Sequence, residues 1–114
     1  MKRLLFPILM ILMVTIGCTA TTNERPTACI DSIRPVKFSF GETVTFTGHG
    51  TDPDGEVVAY KWWSSIDGDL STMASFETST LSVGKHTISL KVQDNDGDWS
   101  HAFEAPMKLI VLPP

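Results

Sequence analysis

The segment His86–Gln93, with the sequence HTISLKVQ, carries the clearest β-strand pattern in the chain. Its apolar residues Ile88, Leu90 and Val92 follow a two-residue period, and His86 occupies the same side. This alternation is typical of a strand with one face on a hydrophobic core and the other face in water. The residues expected to point to water are Thr87, Ser89, Lys91 and Gln93.

Two segments on the N-terminal side repeat this period. Residues 43–47 alternate threonine with larger apolar side chains, and residues 56–63 contain two adjacent tryptophans. The residues predicted to share the inward faces are Val44 and Phe46 in the first segment, and Val58, Tyr60 and Trp62 in the second. Trp62 is therefore predicted to fill the interior, and Trp63 to point the opposite way.

Weaker strand patterns and turns fill the remainder of the region from residue 27 onward. The further strands are predicted at residues 29–33, 75–78 and 100–112. Turns rich in Asp and Gly are predicted at residues 52–55, 67–69 and 94–98. About seven short strands separated by such turns, with no window of helical periodicity, predict an all-β sandwich.

The N-terminal residues do not belong to this pattern. Met1-Lys2-Arg3 precedes an apolar run of 13 residues from Leu4 to Ile16, which is shorter than the ~20 residues needed to cross a bilayer. A charged start followed by a short apolar run is typical of a secretory signal peptide. We predict a signal peptide at residues 1–17, a polar tether at residues 18–26 and a sandwich domain at residues 27–114.

Gly17 followed by Cys18 resembles the cleavage and lipidation motif of prokaryotic lipoproteins. In that family the cysteine thiol receives diacylglycerol, and two or more acyl chains on one residue anchor a protein stably. The resemblance implies lipidation at Cys18 and a place in the cell envelope, outside the cytoplasm. Two alternatives stay open: a secretory signal cleaved near Thr19, which would release the protein, and an uncleaved N-terminal anchor.

Composition and charge exclude several classes of protein. The chain has 114 residues, of which 42% are hydrophobic, and this favours one globular domain over a disordered segment. Nine Lys and Arg oppose 13 Asp and Glu, a net charge of −4, and loss of Lys2 and Arg3 with the signal peptide would leave −6. Such an acidic balance argues against nucleic acid as a partner.

Several short motifs of the domain resemble the PKD (polycystic kidney disease) repeat. They are Phe46-Thr47-Gly48, Thr51-Asp52-Pro53-Asp54-Gly55, Tyr60-Lys61-Trp62, residues 84–94 and Asp96-Gly97. The motifs occur in the family's order, and the match covers about residues 27 to 112. The resemblance implies an immunoglobulin-like β-sandwich of the kind found on extracellular proteins. His86 stands where the family often has Tyr, and we expect its ring to hydrogen-bond a backbone group.

Five aspartates in two loops form the first candidate site: Asp52, Asp54, Asp94, Asp96 and Asp98. In an immunoglobulin-like sandwich these two loops lie at the same end, and Ca²⁺ takes six to eight oxygen ligands of this kind. Some PKD-like domains of secreted proteases bind calcium at this end, so the resemblance implies calcium as the one candidate cofactor. The alternative is that Asp and Gly occur here as turn formers.

Trp63 and Trp99 are the second candidate site. Exposed tryptophans stack on sugars or anchor protein partners, unless neighbouring strands cover their rings. No catalytic residue is predicted, because the sequence has no Ser-His-Asp order, no HExxH motif and no glycine-rich phosphate loop. If Cys18 is lipidated, Cys29 has no partner and is expected to pack as a small apolar residue.

These features predict a non-enzymatic binding or adhesion module, anchored to the membrane by lipid, that contacts a protein or a carbohydrate. The alternative is a structural spacer subunit of a larger envelope complex, with calcium stabilising the domain. The two differ in behaviour after purification: an adhesion module binds cells or matrix, and a spacer co-purifies with one fixed partner.

Overall fold

The computed structural model describes residues 25–101 and 106–114 of the chain. The predicted signal peptide, Cys18 and most of the predicted tether lie outside these residues. No helix in the described ranges is long and apolar enough to cross a membrane. The strands are β1 (Thr27–Arg34), β2 (Lys37–Ser39), β3 (Val44–Thr51), β4 (Val57–Ser64), β5 (Gly68–Ser71), β6 (Ser75–Thr78), β7 (Gly84–Asp94) and β8 (Met107–Leu112).

The strands form two layered sheets, which confirms the predicted all-β sandwich. One sheet has three strands in the order β1-β3-β6, and the other has five strands in the order β2-β8-β7-β4-β5. Neighbouring strands are antiparallel, except that the short β2 runs parallel to β8. The strand with the clearest sequence pattern, β7, lies in the middle of the larger sheet.

Trp62 is fully buried between the two sheets, as predicted. Its ring meets Phe46 and Phe76 edge-on, with centroid distances of 5.3 Å and 5.6 Å. Phe46 and Phe76 stack on each other at 4.5 Å, and offset or edge-on aromatic packing of this kind adds to the free energy gained by burial. The other buried apolar residues include Val44, Ile88, Leu90, Val92, Leu109 and Val111.

His86 lies in the core side of β7 and hydrogen-bonds a backbone group, as predicted. Its Nε2 lies 2.7 Å from the carbonyl oxygen of Ser82, and its Nδ1 lies 2.7 Å from the hydroxyl of Ser64. Because a carbonyl only accepts, Nε2 must donate, which lets the Ser64 hydroxyl donate to Nδ1. Both ring nitrogens of this buried imidazole are therefore paired.

Two predictions about which strand residues are exposed to water were wrong. Val58 is 57% exposed, because a β-bulge between Val57 and Ala59 shifts the alternation and turns Val57 to the core instead. Ser89 lies on the outer side of β7 as predicted, but it is only 4% exposed.

The strand boundaries differ from the predicted ones mainly at the edges of the sheets. β1 begins two residues earlier than predicted, and β8 covers only Met107–Leu112 of the predicted segment 100–112. Residues 102–105 of that segment lie outside the described ranges. The short strands β2 and β5 were not predicted, because three or four residues are too few to show a period.

Candidate functional site

Two loops with aspartates meet at one end of the sandwich, where β3 leads into β4 and where β7 ends. The amide of Asn95 donates to the carbonyl of Glu56 at 3.1 Å, and the amide of Glu56 donates to Oδ1 of Asn95 at 3.1 Å. These reciprocal bonds join the loops, so the predicted neighbourhood of the two Asp-rich turns is observed. Asn95, which the sequence did not single out, is the residue that connects them.

Asp94 is the most buried carboxylate of this end, with 1% of its surface exposed. Its Oδ1 accepts hydrogen bonds from the backbone amides of Asp96 (3.0 Å) and Asp98 (2.9 Å). Its Oδ2 is buried and has no hydrogen-bond partner among the described residues. A buried oxygen with a negative charge and no donor is costly, unless a cation satisfies it.

Asp52 has the same property in the opposite loop. Both of its carboxylate oxygens are withdrawn from water and have no hydrogen bond of good geometry within the described ranges, although the backbone amide of Asp54 lies near enough to act on this carboxyl group. Loss of solvation raises the pKa of Asp52 above the ordinary 3.8, and the carboxyl groups of Asp54 and Asp94 raise it further. A β-carbon at Gly55 would clash with Asn95 and lie 3.0 Å from Oδ2 of Asp52, so these two side chains pack around the same glycine.

The five predicted calcium ligands do not contribute equally. The charges of Asp54 and Asp94 both act on the carboxyl group of Asp52. The carboxylates of Asp96 and Asp98 belong to exposed residues, whose backbone amides donate to Asp94. In the described part of the chain, these carboxylates do not form a set with ligand atoms all within 4.8 Å of one another. A cation would therefore have to draw the two loops closer.

A group that the sequence did not reveal lies on the smaller sheet. The β1–β3 register places Cys29 opposite His49, and a bulge brings Asp31 to the same place. The Asp31 carboxylate oxygens lie 2.8 and 3.0 Å from Nδ1 of His49. Cys29, Asp31 and His49 offer ligand atoms within 4.8 Å of one another, but Cys29 is disulfide-bonded and presents no thiolate.

This disulfide changes the expectation for Cys29, which was predicted to be an unpaired apolar residue. Cys18 is the only other cysteine in the sequence, and it lies outside the described residues.

The two candidate tryptophans differ in exposure. Trp63 is 38% exposed on the outer face of the five-stranded sheet, between Ser89 of β7 and Asp69 of β5. Trp99 is half-buried, and the ammonium of Lys91 lies 5.1 Å from the centroid of its ring. That distance is within the range of a cation–π contact.

An open groove runs between the edge strands β5 and β6 of the two sheets. Its polar wall contains Asp67, Asp69 and Glu77, and its apolar floor contains Leu70 and Phe76. The Asp67 carboxylate accepts from the hydroxyl of Ser82 at 2.6 Å and from the amide of the same residue at 2.9 Å. Asp67 therefore serves to hold a loop, which argues against a role in acid–base chemistry.

Comparison with known proteins gives one family and a consistent fold. Residues 31–105 match the PKD domain family. A microbial collagenase of Vibrio alginolyticus is 34% identical over 80 residues, which are 69% of this chain and 10% of the collagenase. The chain thus spans about a tenth of the length of that relative.

Among solved structures, the PKD1 domain of Vibrio anguillarum Epp is 26% identical, with a TM-score of 0.60 over 81% of this chain and 99% of that one. Carbohydrate-binding modules from the β-sandwich superfamily reach a TM-score of 0.67 at 23% identity, over 82% of this chain and 36% of theirs. The second likeness is one of fold alone.

Proposed function

The chain belongs to the PKD domain family, and from this premise we propose that it is a non-enzymatic, extracytoplasmic binding or adhesion module. The observation that supports this role is Trp63, whose ring is exposed on the outer face of the five-stranded sheet instead of in the core. Aromatic side chains at such positions are enriched where proteins bind sugars or other proteins. A rigid sandwich would present this face to a protein or carbohydrate of the surroundings.

Binding of the purified protein to whole cells and to isolated envelope or matrix material tests this role. We expect saturable binding that Trp63→Ala weakens and that Met73→Ala, at an exposed apolar position in the connection between β5 and β6, leaves intact. A protein that binds none of these materials, and that only co-purifies in fixed ratio with one envelope protein, would be a structural spacer, and the binding role would be wrong.

We also propose that the mature protein is anchored by lipid at Cys18. The support is the sequence Gly17-Cys18 after a short apolar run, followed by a polar stretch long enough to separate the domain from a membrane. The proposal requires the lipidated protein to lack a disulfide between Cys18 and Cys29, because one sulfur atom cannot carry both the lipid and the disulfide. Without lipidation, the protein would be secreted.

Mass spectrometry of the intact, unreduced protein distinguishes a lipidated Cys18 from a disulfide-bonded Cys18 and from a secreted protein without the lipid. Lipidation predicts an N-terminal peptide that begins at Cys18 and carries diacylglycerol. A peptide that links Cys18 to Cys29, or an unmodified N-terminus at another residue, would exclude the anchor.

Calcium is the cofactor that we propose for the Asp-rich end. The unpaired buried oxygens of Asp52 and Asp94 support it, because a hard cation is the partner that such oxygens prefer. Asp52, Asp54 and Asp94 would hold the ion, and Asp96 and Asp98 would add negative charge at the rim. The ion would join the two loops and stiffen this end of the domain.

Thermal unfolding with calcium and with a chelator tests this site. At 100 times the dissociation constant, calcium should stabilise the fold by ~2.7 kcal/mol. Asp94→Asn should abolish the difference, whereas Asp69→Asn, on the edge strand β5, should keep it. An unchanged melting temperature at millimolar calcium would contradict the proposed calcium site.

A further inference from the structure

The lysines of the described residues lie on one side of the molecule. All five belong to strands of the five-stranded sheet, and the register places each on its outer face: Lys37, Lys61, Lys85, Lys91 and Lys108. The residues next to these lysines in the sequence are buried on the opposite face of the sheet. They are Phe38, Trp62, His86, Val92 and Leu109. The outer face of this sheet is therefore cationic, although the net charge of the whole chain is −4.

The lysines lie in cross-strand rows. Ile110 of β8 has Lys37 of β2 on one side and Lys85 of β7 on the other. Lys108 lies opposite Thr87 in the next row. Within residues 25–101 and 106–114, no carboxylate oxygen lies within 4.0 Å of the ammonium groups of these three lysines. Their charges are therefore available to a ligand.

The other two lysines lie directly opposite each other, Lys61 on β4 and Lys91 on β7. Like charges at such positions repel each other and destabilise a sheet. Lys61 has a distant carboxylate neighbour, Asp69, at 3.8 Å, and Lys91 lies over the ring of Trp99. Asp69 is the one carboxylate that strand register places on this face in the described part of the chain.

The face is long and carries an aromatic ring among these charges. The eight residue steps from Lys85 to Gln93 correspond to roughly 26 Å of strand. Trp63 lies between the lysine rows, opposite Ser89, and its ring is exposed. A sheet face with charges spread along its strands fits an extended polymer better than a small molecule, which usually binds in an enclosed pocket.

We propose that this outer face, here called the lysine face, binds an anionic polysaccharide. The inference rests on the proposed binding role and names its ligand class: a polymer of sugars that carry carboxylate, sulfate or phosphate groups. The lysines pair with the anionic groups along the polymer, and Trp63 stacks on the apolar face of a sugar ring. Charge complementarity selects an anionic polymer over a neutral one.

Affinity electrophoresis of the full chain in gels with polygalacturonate, alginate or neutral dextran tests the proposal. The two anionic polymers should retard the protein, and dextran should not. The triple variant Lys37→Gln, Lys85→Gln, Lys108→Gln should lose about tenfold in affinity, because each exposed charge contact contributes only modestly. Arg34→Gln, on the opposite sheet, is the matched control and should bind normally.

Variants of Trp63 distinguish recognition of sugar rings from a general attraction between the lysines and negative charge. Trp63→Ala should weaken binding to polygalacturonate about fivefold or more, as is found for other ring-stacking contacts, and Trp63→Phe should restore part of it. The melting temperature of the triple lysine variant should stay near that of the natural sequence, because these three side chains are exposed.

Other outcomes would overturn the proposal in recognisable ways. Equal retardation by double-stranded DNA, or binding confined to vesicles with anionic lipids, would show a general charge effect or a membrane contact. Binding to envelope material without binding to any anionic polysaccharide would contradict the ligand class but leave the binding role intact. If the protein binds no polymer, vesicle or envelope material, both proposals fail.

Discussion

Lys61 of β4 and Lys91 of β7 occupy directly opposed positions in the five-stranded sheet, with both side chains on its outer face. Neighbouring antiparallel positions ordinarily hold opposite charges or apolar pairs, because like charges there cost ~0.2–1 kcal/mol. The sheet tolerates the pair because each ammonium has a second neighbour, Asp69 or the ring of Trp99. A repulsive pair on a folded surface suggests that these charges serve binding, not stability.

A double-mutant cycle measures this repulsion. We expect Lys61→Gln and Lys91→Gln to show an unfavourable coupling of ~0.2–1 kcal/mol between the two lysines in urea unfolding. The coupling should shrink as salt is raised towards 1 M, where the screening length falls to about 3 Å. Lys37 and Lys61, which are three strands apart, should show no coupling and serve as the control. A favourable coupling between Lys61 and Lys91 would contradict the proposed repulsion.

Gly48 leaves room for the core to close against β3. A β-carbon at this position would lie 2.7 Å from Cδ2 of Leu90 and 2.8 Å from Cζ2 of Trp62, which is closer than real contacts allow. Gly48→Ala should therefore destabilise the domain by ~1–3 kcal/mol through overpacking. Thr45→Val on the exposed side of the same strand should change the free energy of unfolding by less than ~0.5 kcal/mol. Equal stability of the two variants would show that Trp62 and Leu90 can move aside.

Ser64 links His86 to the turn after β4. Its hydroxyl bonds Nδ1 of His86 at 2.7 Å, and its oxygen accepts from the amides of Ile66 (3.0 Å) and Asp67 (3.2 Å). Ser64→Ala leaves a buried ring nitrogen and two amides without this partner, and we expect a loss of ~2 kcal/mol or more in chemical denaturation. The exposed Ser79→Ala is the control, and a similar small effect of both variants would argue against the network.

The Asp67–Ser82 contact predicts how stability changes with acid. Partial burial opposes ionisation of Asp67, but the hydroxyl and amide of Ser82, with the nearby His86, more than compensate and lower its pKa below the ordinary 3.8. A lowered pKa in the folded state means that the contribution is complete above pH 3.8 and is lost as the pH falls through the folded-state value.

Urea unfolding between about pH 5 and pH 2 measures this contribution. Asp67→Asn and Ser82→Ala should both reduce the loss of stability on acidification, whereas Ser79→Ala should leave it unchanged. If Asp67→Asn lost as much stability on acidification as the natural sequence does, the contact with Ser82 would not depend on the charge of Asp67.

Much of the architecture was predictable because it depends on local patterns. The two-residue period from His86 to Val92 correctly assigned the inward face of β7, and the paired tryptophans correctly placed Trp62 in the core. Asp and Gly at residues 52–55 and 94–98 marked the turns that meet at one end of the sandwich. These features require only that side chains alternate along a strand and that turns use particular residues.

The candidate sites depended on relationships between distant segments. The bulge that exposes Val58, the pairing of Asp31 with His49 and the burial of Asp94 follow from contacts that no short window contains. The gathering of five lysines onto one face requires both the strand order and the register of the five-stranded sheet.

The chain's own order of residues thus determined the class of fold and the core tryptophan, because hydrophobic alternation acts within a few neighbouring residues. Only the tertiary structure decided which charged and aromatic side chains share a surface. Strand pairing joins residues far apart in the chain, and a shift of one residue in register would send every one of those side chains to the opposite face.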